Sequence, residues 1–187
     1  VNESIASAPA DQIDGHLVLV GLPGAGKSTC GRQLARRLGR PFLDFDVEIE
    51  RRVGMTVARL FAEQGETAFR ALEVELTREL AAAPPMVLAP GGGWVTNPGV
   101  MALLRPPGKI IHLQVSPAEA LRRVSRSRTV RPLLKQADPA VRIQALWDAR
   151  KGLYAQADAV LEVEKLTQQQ VIDYLVALAR VGVAEIG

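Results

Sequence analysis

Residues 21–29 read GLPGAGKST and fit the pattern G-x-x-x-x-G-K-[ST] without a mismatch. The context is the one this pattern needs: an apolar strand-like stretch before it, HLVLVG (16–21), and helical spacing after it. Gly21, Gly24 and Gly26 let the backbone curl so that successive N–H groups face one anion. The helix beginning near Lys27 adds its positive end. Lys27 can reach the outer phosphates of a nucleotide, and Ser28 offers a hydroxyl to Mg²⁺. Gly24, Ala25, Gly26, Lys27, Ser28 and Thr29 are therefore the expected ATP-binding set. The plain alternative is a Gly-rich turn with no ligand.

A second chemical feature follows at PFLDFDVEIERR (41–52), where Asp44 and Asp46 are separated by one residue. In a strand their side chains point to the same side, roughly 7 Å apart. Asp is also favoured in turns and at helix N-caps, so the pair has a structural reading too. Motor and regulatory ATPases place an acidic residue at the end of a second buried strand to help hold Mg²⁺. The third and fourth strands here end in LAP and LQV, without a carboxylate, and no N-K-x-D stretch for reading guanine is present. The carboxylates at a strand end are thus Asp44 and Asp46.

The elements that must position these groups alternate between strand and helix. Strands are expected at 16–21, 41–46, 86–90, 109–115 and 159–163. Helices are expected at 27–39, 47–54, 56–65, 66–83, 97–105, from SPAE (116–119) onward, at 138–157 and at 167–180. Ser116 and Asp138 read as N-caps, each followed by Pro at the first helical position. The stretch RVSRSRTVRPLLKQ (123–136) has no clear period and reads as a mobile loop. Such alternation argues for a parallel sheet flanked by helices.

The chain has 187 residues, enough for one domain with a substantial core. Residues 1–15 are small and polar and read as a disordered lead-in, with a single domain over 16–187. A net charge of +3 demands no nucleic-acid partner, and the basic cluster from Arg122 to Arg131 has no interleaved aromatic residues for base stacking. No apolar run approaches the length of a membrane span. The one cysteine, Cys30, leaves no internal disulfide and is compatible with a reducing cytoplasm, the expected location. His16 and His112 read as structural, since no Cys/His grouping suggests zinc. A monomer is expected.

From about residue 16 to 180 the pattern resembles the shikimate kinase family. Four stretches carry the resemblance: GLPGAGKST, FLDFDVEIERRVGMTVARLFAEQGETAFRALE, the PGGG after the third strand, and RPLL followed by RKGLY. It implies a three-layer α/β fold with a five-stranded parallel sheet in the order 2-3-1-4-5, substrate-binding helices over about 47–83 and a lid over about 123–136. It implies ATP-dependent phosphorylation of the 3-hydroxyl of shikimate, a step toward chorismate and the aromatic amino acids. By the same resemblance Asp44 and Ser28 serve Mg²⁺, and Asp46 binds and polarises the attacking hydroxyl. Arg70 and Arg150 are two arms of a clamp on the substrate carboxylate. Gly92 and Gly93 make backbone contacts to substrate and γ-phosphate. Arg131 is the lid arginine that closes on the phosphates and, with Lys27 and Asp46, completes the catalytic set.

Elementary chemistry is consistent with each role. Phosphoryl transfer needs positioning and charge neutralisation more than covalent chemistry. Guanidinium pairs bidentately with carboxylate. In isolation, Arg70 could equally pair with Glu66 or Glu73 on its own helix. The chain also departs from the family: Pro90 stands where a Thr commonly precedes the triplet, Trp94 follows it where a small residue is usual, and Val124 falls where an Arg usually packs on adenine. The competing readings are another small-molecule kinase of the same fold, such as a gluconate kinase, and a non-catalytic ATP-binding module.

Overall fold

A computed structural model describes residues 14–126 and 138–181. Five strands form one sheet: β1 (Leu17–Val20), β2 (Phe42–Asp44), β3 (Val87–Ala89), β4 (Lys109–Gln114) and β5 (Ala159–Glu162). Their order is β2-β3-β1-β4-β5 and every pairing is parallel, as expected. The central strand β1 reads LVLV and is buried at all four positions. A continuous apolar run is what a strand covered on both faces requires. The helices are α1 (Lys27–Leu38), α2 (Phe45–Val53), α3 (Val57–Leu80), α4 (Pro117–Arg126), α5 (Pro139–Tyr154) and α6 (Gln168–Val181). α1 packs on α6, α4 on α5 and α2 on α3.

Local chemistry accounts for the boundaries. Gly39 ends α1 in the left-handed conformation, its N–H returning to the last turn. Thr56 caps α3 and Asp138 caps α5, with Pro139 at the first turn. His16 accepts from the Met86 N–H through Nδ1 (3.2 Å) and donates from Nε2 to the Leu80 carbonyl (2.8 Å). This histidine is structural, joining the end of α3 to the start of β3.

The helices expected at 56–65 and 66–83 are both present within the span of α3, divided at Gly65, whose φ of 80° is non-helical. Three expectations need correction. β2 stops at Asp44, so the strand does not run through Asp46, and α2 begins at Phe45. The helix expected over 97–105 is reduced to one 3₁₀ turn, Ala102–Leu104, after Gly99 at φ 72°, with another 3₁₀ turn, Trp94–Thr96, before it. Residues 123–126, expected in the loop, close α4. The rest of that loop, with Arg131, lies outside the described residues.

The strand order decides where a ligand can sit. β3 pairs with both β2 and β1, with Asp44 in register with Ala89. The carboxyl ends of these three strands therefore lie side by side. They lead into the Gly21–Gly26 loop, the Asp44–Asp46 corner and the Gly91–Gly93 triplet. That edge is where open α/β sheets hold their ligands.

Candidate active site

The first loop folds as an anion cradle. Gly24 and Gly26 have φ of 87° and 95°, values that other residues adopt only with strain. Gly26 is the N-cap of α1 and contributes no side chain, so the first-turn N–H groups of the helix are capped by no side chain of their own. Lys27 is only 8% exposed, and its ammonium donates to the carbonyls of Gly21 (2.9 Å) and Leu22 (3.1 Å). The charge is thus held within the loop that would receive phosphate. A Cβ on Gly24 would stand 2.6 Å from the Ala120 carbonyl and 3.0 Å from Val124, so the loop packs directly on α4.

The aspartates do not share a strand face. Asp44 is the N-cap of α2: its Oδ1 accepts from the N–H groups of Asp46 (3.1 Å) and Val47 (3.5 Å). Its Oδ2 accepts from the Ser28 hydroxyl at 2.5 Å. Asp44 is therefore an N-cap on one oxygen and the partner of Ser28 on the other. Asp46 sits in the first turn of α2, half-buried, and turns toward the third loop. Its Oδ1 would lie 3.1 Å from a Cβ on Gly91.

The triplet is where the remaining groups meet. A Cβ on Gly93 would fall 2.1 Å from Nη2 of Arg70, so any side chain there would displace the guanidinium. A Cβ on Gly92 would fall 3.5 Å from Nη1 of Arg150 and 3.2 Å from the Gly21 carbonyl. Asp46, Arg70 and Arg150, from α2, α3 and α5, thus converge on three consecutive glycines beside the phosphate loop. Arg150 is 7% exposed, which excludes the reading of a solvated helix residue. Arg70 does pair along its own helix, with Glu66 (2.7 Å) and Glu73 (2.6 Å), while also lying on Gly93.

Two oxygens of different elements, Ser28 Oγ and Asp44 Oδ2, meet at the mouth of the cradle. Hard oxygen donors, few in number, suit Mg²⁺, which takes most of its ligands from phosphates and water. Among the described residues, no group of three or more His, Cys, Asp or Glu could hold a metal by itself. The donor set therefore fits an ion carried with a nucleotide better than a resident protein cage.

Comparison with known proteins decides the family. The family described as Shikimate kinase matches residues 23–180. The chain belongs to the shikimate kinase family. A curated relative, the shikimate kinase of Paracidovorax citrulli, is 48% identical over 141 residues, covering 74% of this chain and 76% of the relative. The structure of shikimate kinase from Acinetobacter baumannii in complex with shikimate superposes with a TM-score of 0.82 at 35% identity, over 88% of this chain and 92% of that one. A gluconokinase from Sinorhizobium meliloti shares the fold at a TM-score of 0.60, but at 16% identity the likeness extends to the fold alone.

Within this family site, Tyr154 was not singled out by sequence, and Glu73 and His112 were named only as a helix partner of Arg70 and as a structural histidine. Glu73 is fully buried and accepts from Arg70 and from Asn97 Nδ2 (3.2 Å) through one oxygen. Burial raises its pKa, opposed by the Arg70 charge. Its spacing of three from Arg70 was the available signal. Tyr154 donates to the Gly92 carbonyl at 2.8 Å, and burial pushes its pKa up to about 12. His112, on β4, stacks on Tyr154 with ring centres 4.7 Å apart. Nothing in sequence joins His112 to Tyr154, because parallel topology alone brings them together. The family departures also have places: Trp94 is fully buried, with its Nε1–H donating to Thr77 Oγ1 at 2.9 Å, and Val124 lies against Gly24.

Proposed function

We propose that this shikimate kinase family member transfers the γ-phosphoryl group of ATP to the 3-hydroxyl of shikimate, giving shikimate 3-phosphate and ADP. The observation that carries the reading is the convergence of Asp46, Arg70 and Arg150 on the Gly91–Gly93 triplet, next to a complete phosphate loop. An acceptor with one carboxylate and one reactive hydroxyl matches two guanidiniums and one carboxylate in that arrangement.

In this reading the backbone N–H groups of Gly24–Thr29 and the Lys27 ammonium hold the phosphates. Arg70 and Arg150 hold the acceptor carboxylate, and Gly92 and Gly93 bring backbone close to the ring and the γ-phosphate. Asp46 orients the 3-hydroxyl in line and accepts its proton as the oxygen attacks phosphorus. The bond between γ-phosphorus and the bridging oxygen breaks, and that oxygen leaves with ADP. Lys27 and Arg131 offset the charge on the transferred group. A Mg²⁺ ion held by Ser28 and Asp44 would neutralise phosphate charge when bound. Arg131 acts from a lid over about 123–136, and α2 with α3 forms the substrate-binding segment of one domain.

The protein works in this reading as a cytoplasmic monomer on small molecules, with no nucleic-acid or membrane partner. Among the described residues, no helix is long and apolar enough to cross a membrane. Gluconate also carries a carboxylate, so what disfavours the gluconate-kinase alternative is the shikimate kinase family match over residues 23–180 against 16% identity to the gluconokinase. The test is coupled ADP release with shikimate, gluconate or no acceptor. Release dependent on shikimate, with phosphorylation at the 3-position, is the expected result. Equal release with gluconate overturns the acceptor assignment.

A further inference from the structure

Tyr154 stands outside every role assigned so far, yet it holds one of the groups proposed to bind substrate and lies beside another. Its side chain is fully buried at the end of α5, and its hydroxyl donates to the Gly92 carbonyl at 2.8 Å. A carbonyl can only accept, so the single O–H proton is committed to Gly92. Arg150, one helical turn earlier on α5, lies against the same glycine, its Nη1 3.5 Å from where a Cβ on Gly92 would stand. The hydroxyl is thereby a joint that holds the triplet beside one arm of the proposed carboxylate clamp.

The joint constrains more than two atoms. A trans peptide holds its C=O and the next N–H on opposite edges of one plane. Fixing the Gly92 carbonyl therefore fixes the direction of the Gly93 N–H, on the residue that Arg70 lies against. Gly92 has no side chain to resist rotation of this plane, so an external anchor is required if it is to stay put. The ring that carries the anchor is itself held: His112 stacks on it at 4.7 Å and 17°, and Trp147 lies 6.5 Å away at 27°. An aromatic ring packed on both a β4 side chain and its own helix has little freedom to swing.

We infer that Tyr154 is a positioning residue for acceptor binding: its hydroxyl sets the Gly92–Gly93 peptide, against which Arg150 and Arg70 lie, at the geometry that receives the acceptor carboxylate, without itself touching substrate. The inference rests on the proposed clamp. Tyr154→Phe keeps the ring, the stack and the burial, and removes only the joint. The effect belongs to acceptor binding, so it should appear in KM for shikimate and leave kcat and KM for ATP nearly unchanged.

The experiment measures steady-state kinetics for the full chain, Tyr154→Phe, Arg150→Ala and the double variant, with ADP affinity and thermal melting alongside. Tyr154→Phe should raise KM for shikimate by up to about tenfold, the upper end of what one lost hydrogen bond costs. In the Arg150→Ala background the same change should alter KM by no more than about twofold, since coupled residues are non-additive. Retained ADP affinity shows that the phosphate loop is folded. A lower melting temperature with unchanged shikimate KM would make Tyr154 a structural residue and overturn the inference. A raised KM for Arg150→Ala beside an unchanged one for Tyr154→Phe overturns Tyr154 alone. An unchanged KM for Arg150→Ala overturns the clamp, and the inference with it. Should Tyr154→Phe fail to fold, the shikimate affinity of His112→Ala decides, read by titration calorimetry: weakening supports the held ring, and none overturns it.

Discussion

Asp44 serves two neighbours with two oxygens, one on the first turn of α2 and one on Ser28. Asp46, two residues on, faces the glycine triplet. The roles should separate on substitution. Asn is as good an N-cap as Asp, so Asp44→Asn keeps the helix start and loses only the anionic ligand. Its activity should fall and be partly recovered by raising Mg²⁺. Asp46→Asn should lose about 10²–10⁴ in kcat, the range for a general base, with no recovery at any Mg²⁺. Nucleotide titrations at several Mg²⁺ concentrations check both; rescue of Asp46→Asn rather than Asp44→Asn would reverse the assignment. That a strand-end carboxylate would meet the phosphate loop was legible in sequence, and Asp44 does accept from Ser28. The geometry of the pair was not. Alternation assumes the strand continues, and the Asp44 cap is what makes it stop.

At the scale of elements, the loop after β3 is fastened to α3 rather than left to hang from its glycines. The Trp94 indole is fully buried, meets Phe45 edge-on at 6.3 Å and donates to Thr77 Oγ1, which donates in turn to the Glu73 carbonyl at 2.7 Å. A large residue directly after the triplet therefore ties the loop to the helical turn that carries Glu73, the buried partner of Arg70. Thr77→Val conserves shape and leaves the indole N–H without a partner in the core. The cost should be about 1–3 kcal/mol of stability, read by denaturant unfolding. Replacing Trp94 by Phe in the same background should recover part of it; an unaltered midpoint for Thr77→Val would dissolve the tie. The oddity of Trp94 was visible in sequence, but its partner was not, since Thr77 lies on a different element and carries no periodic signal. Helix ends were legible where Gly, Pro or a capping residue set them, as at Gly39 and Asp138. They were misread at 97–105, where Gly99 interrupts what spacing alone would continue.

For the whole molecule, the buried His112 makes stability depend on acid. Burial, and then the nearby Lys27 charge, push its pKa from 6.5 down to about 4. Its Nε2 meets no hydrogen-bond partner among the described residues. Above about pH 6.5 the ring is neutral in both folded and unfolded chains and contributes nothing to the balance. As pH falls from about 6.5 toward 4, the unfolded chain takes up a proton that the folded one refuses, so stability declines by up to roughly 3 kcal/mol. His112→Phe keeps a ring in the stack and removes the titration. Melting temperatures of the two proteins should converge or cross as pH drops through this window, the wild type losing more. Parallel curves from pH 7.5 to 4 would show that His112 does not titrate as described.

The phosphate loop and the alternation of strand and helix were readable because each rests on local pattern: apolar runs, glycines and a lysine at fixed spacing. The strand order came only with the family resemblance, since which strands pair is not a local property. The proposed clamp rests on three elements meeting at one sheet edge, where Arg70 and Arg150 come together. The most direct test is therefore of the acceptor carboxylate itself. The measurement is kcat/KM for shikimate and for its methyl ester, with wild type and Arg150→Ala. Wild type should prefer the free acid by about 10²-fold or more, the effect of leaving a buried charge without its partner. Arg150→Ala should lose most of that preference while retaining its affinity for ATP. Equal turnover of acid and ester by the wild-type protein would contradict the account.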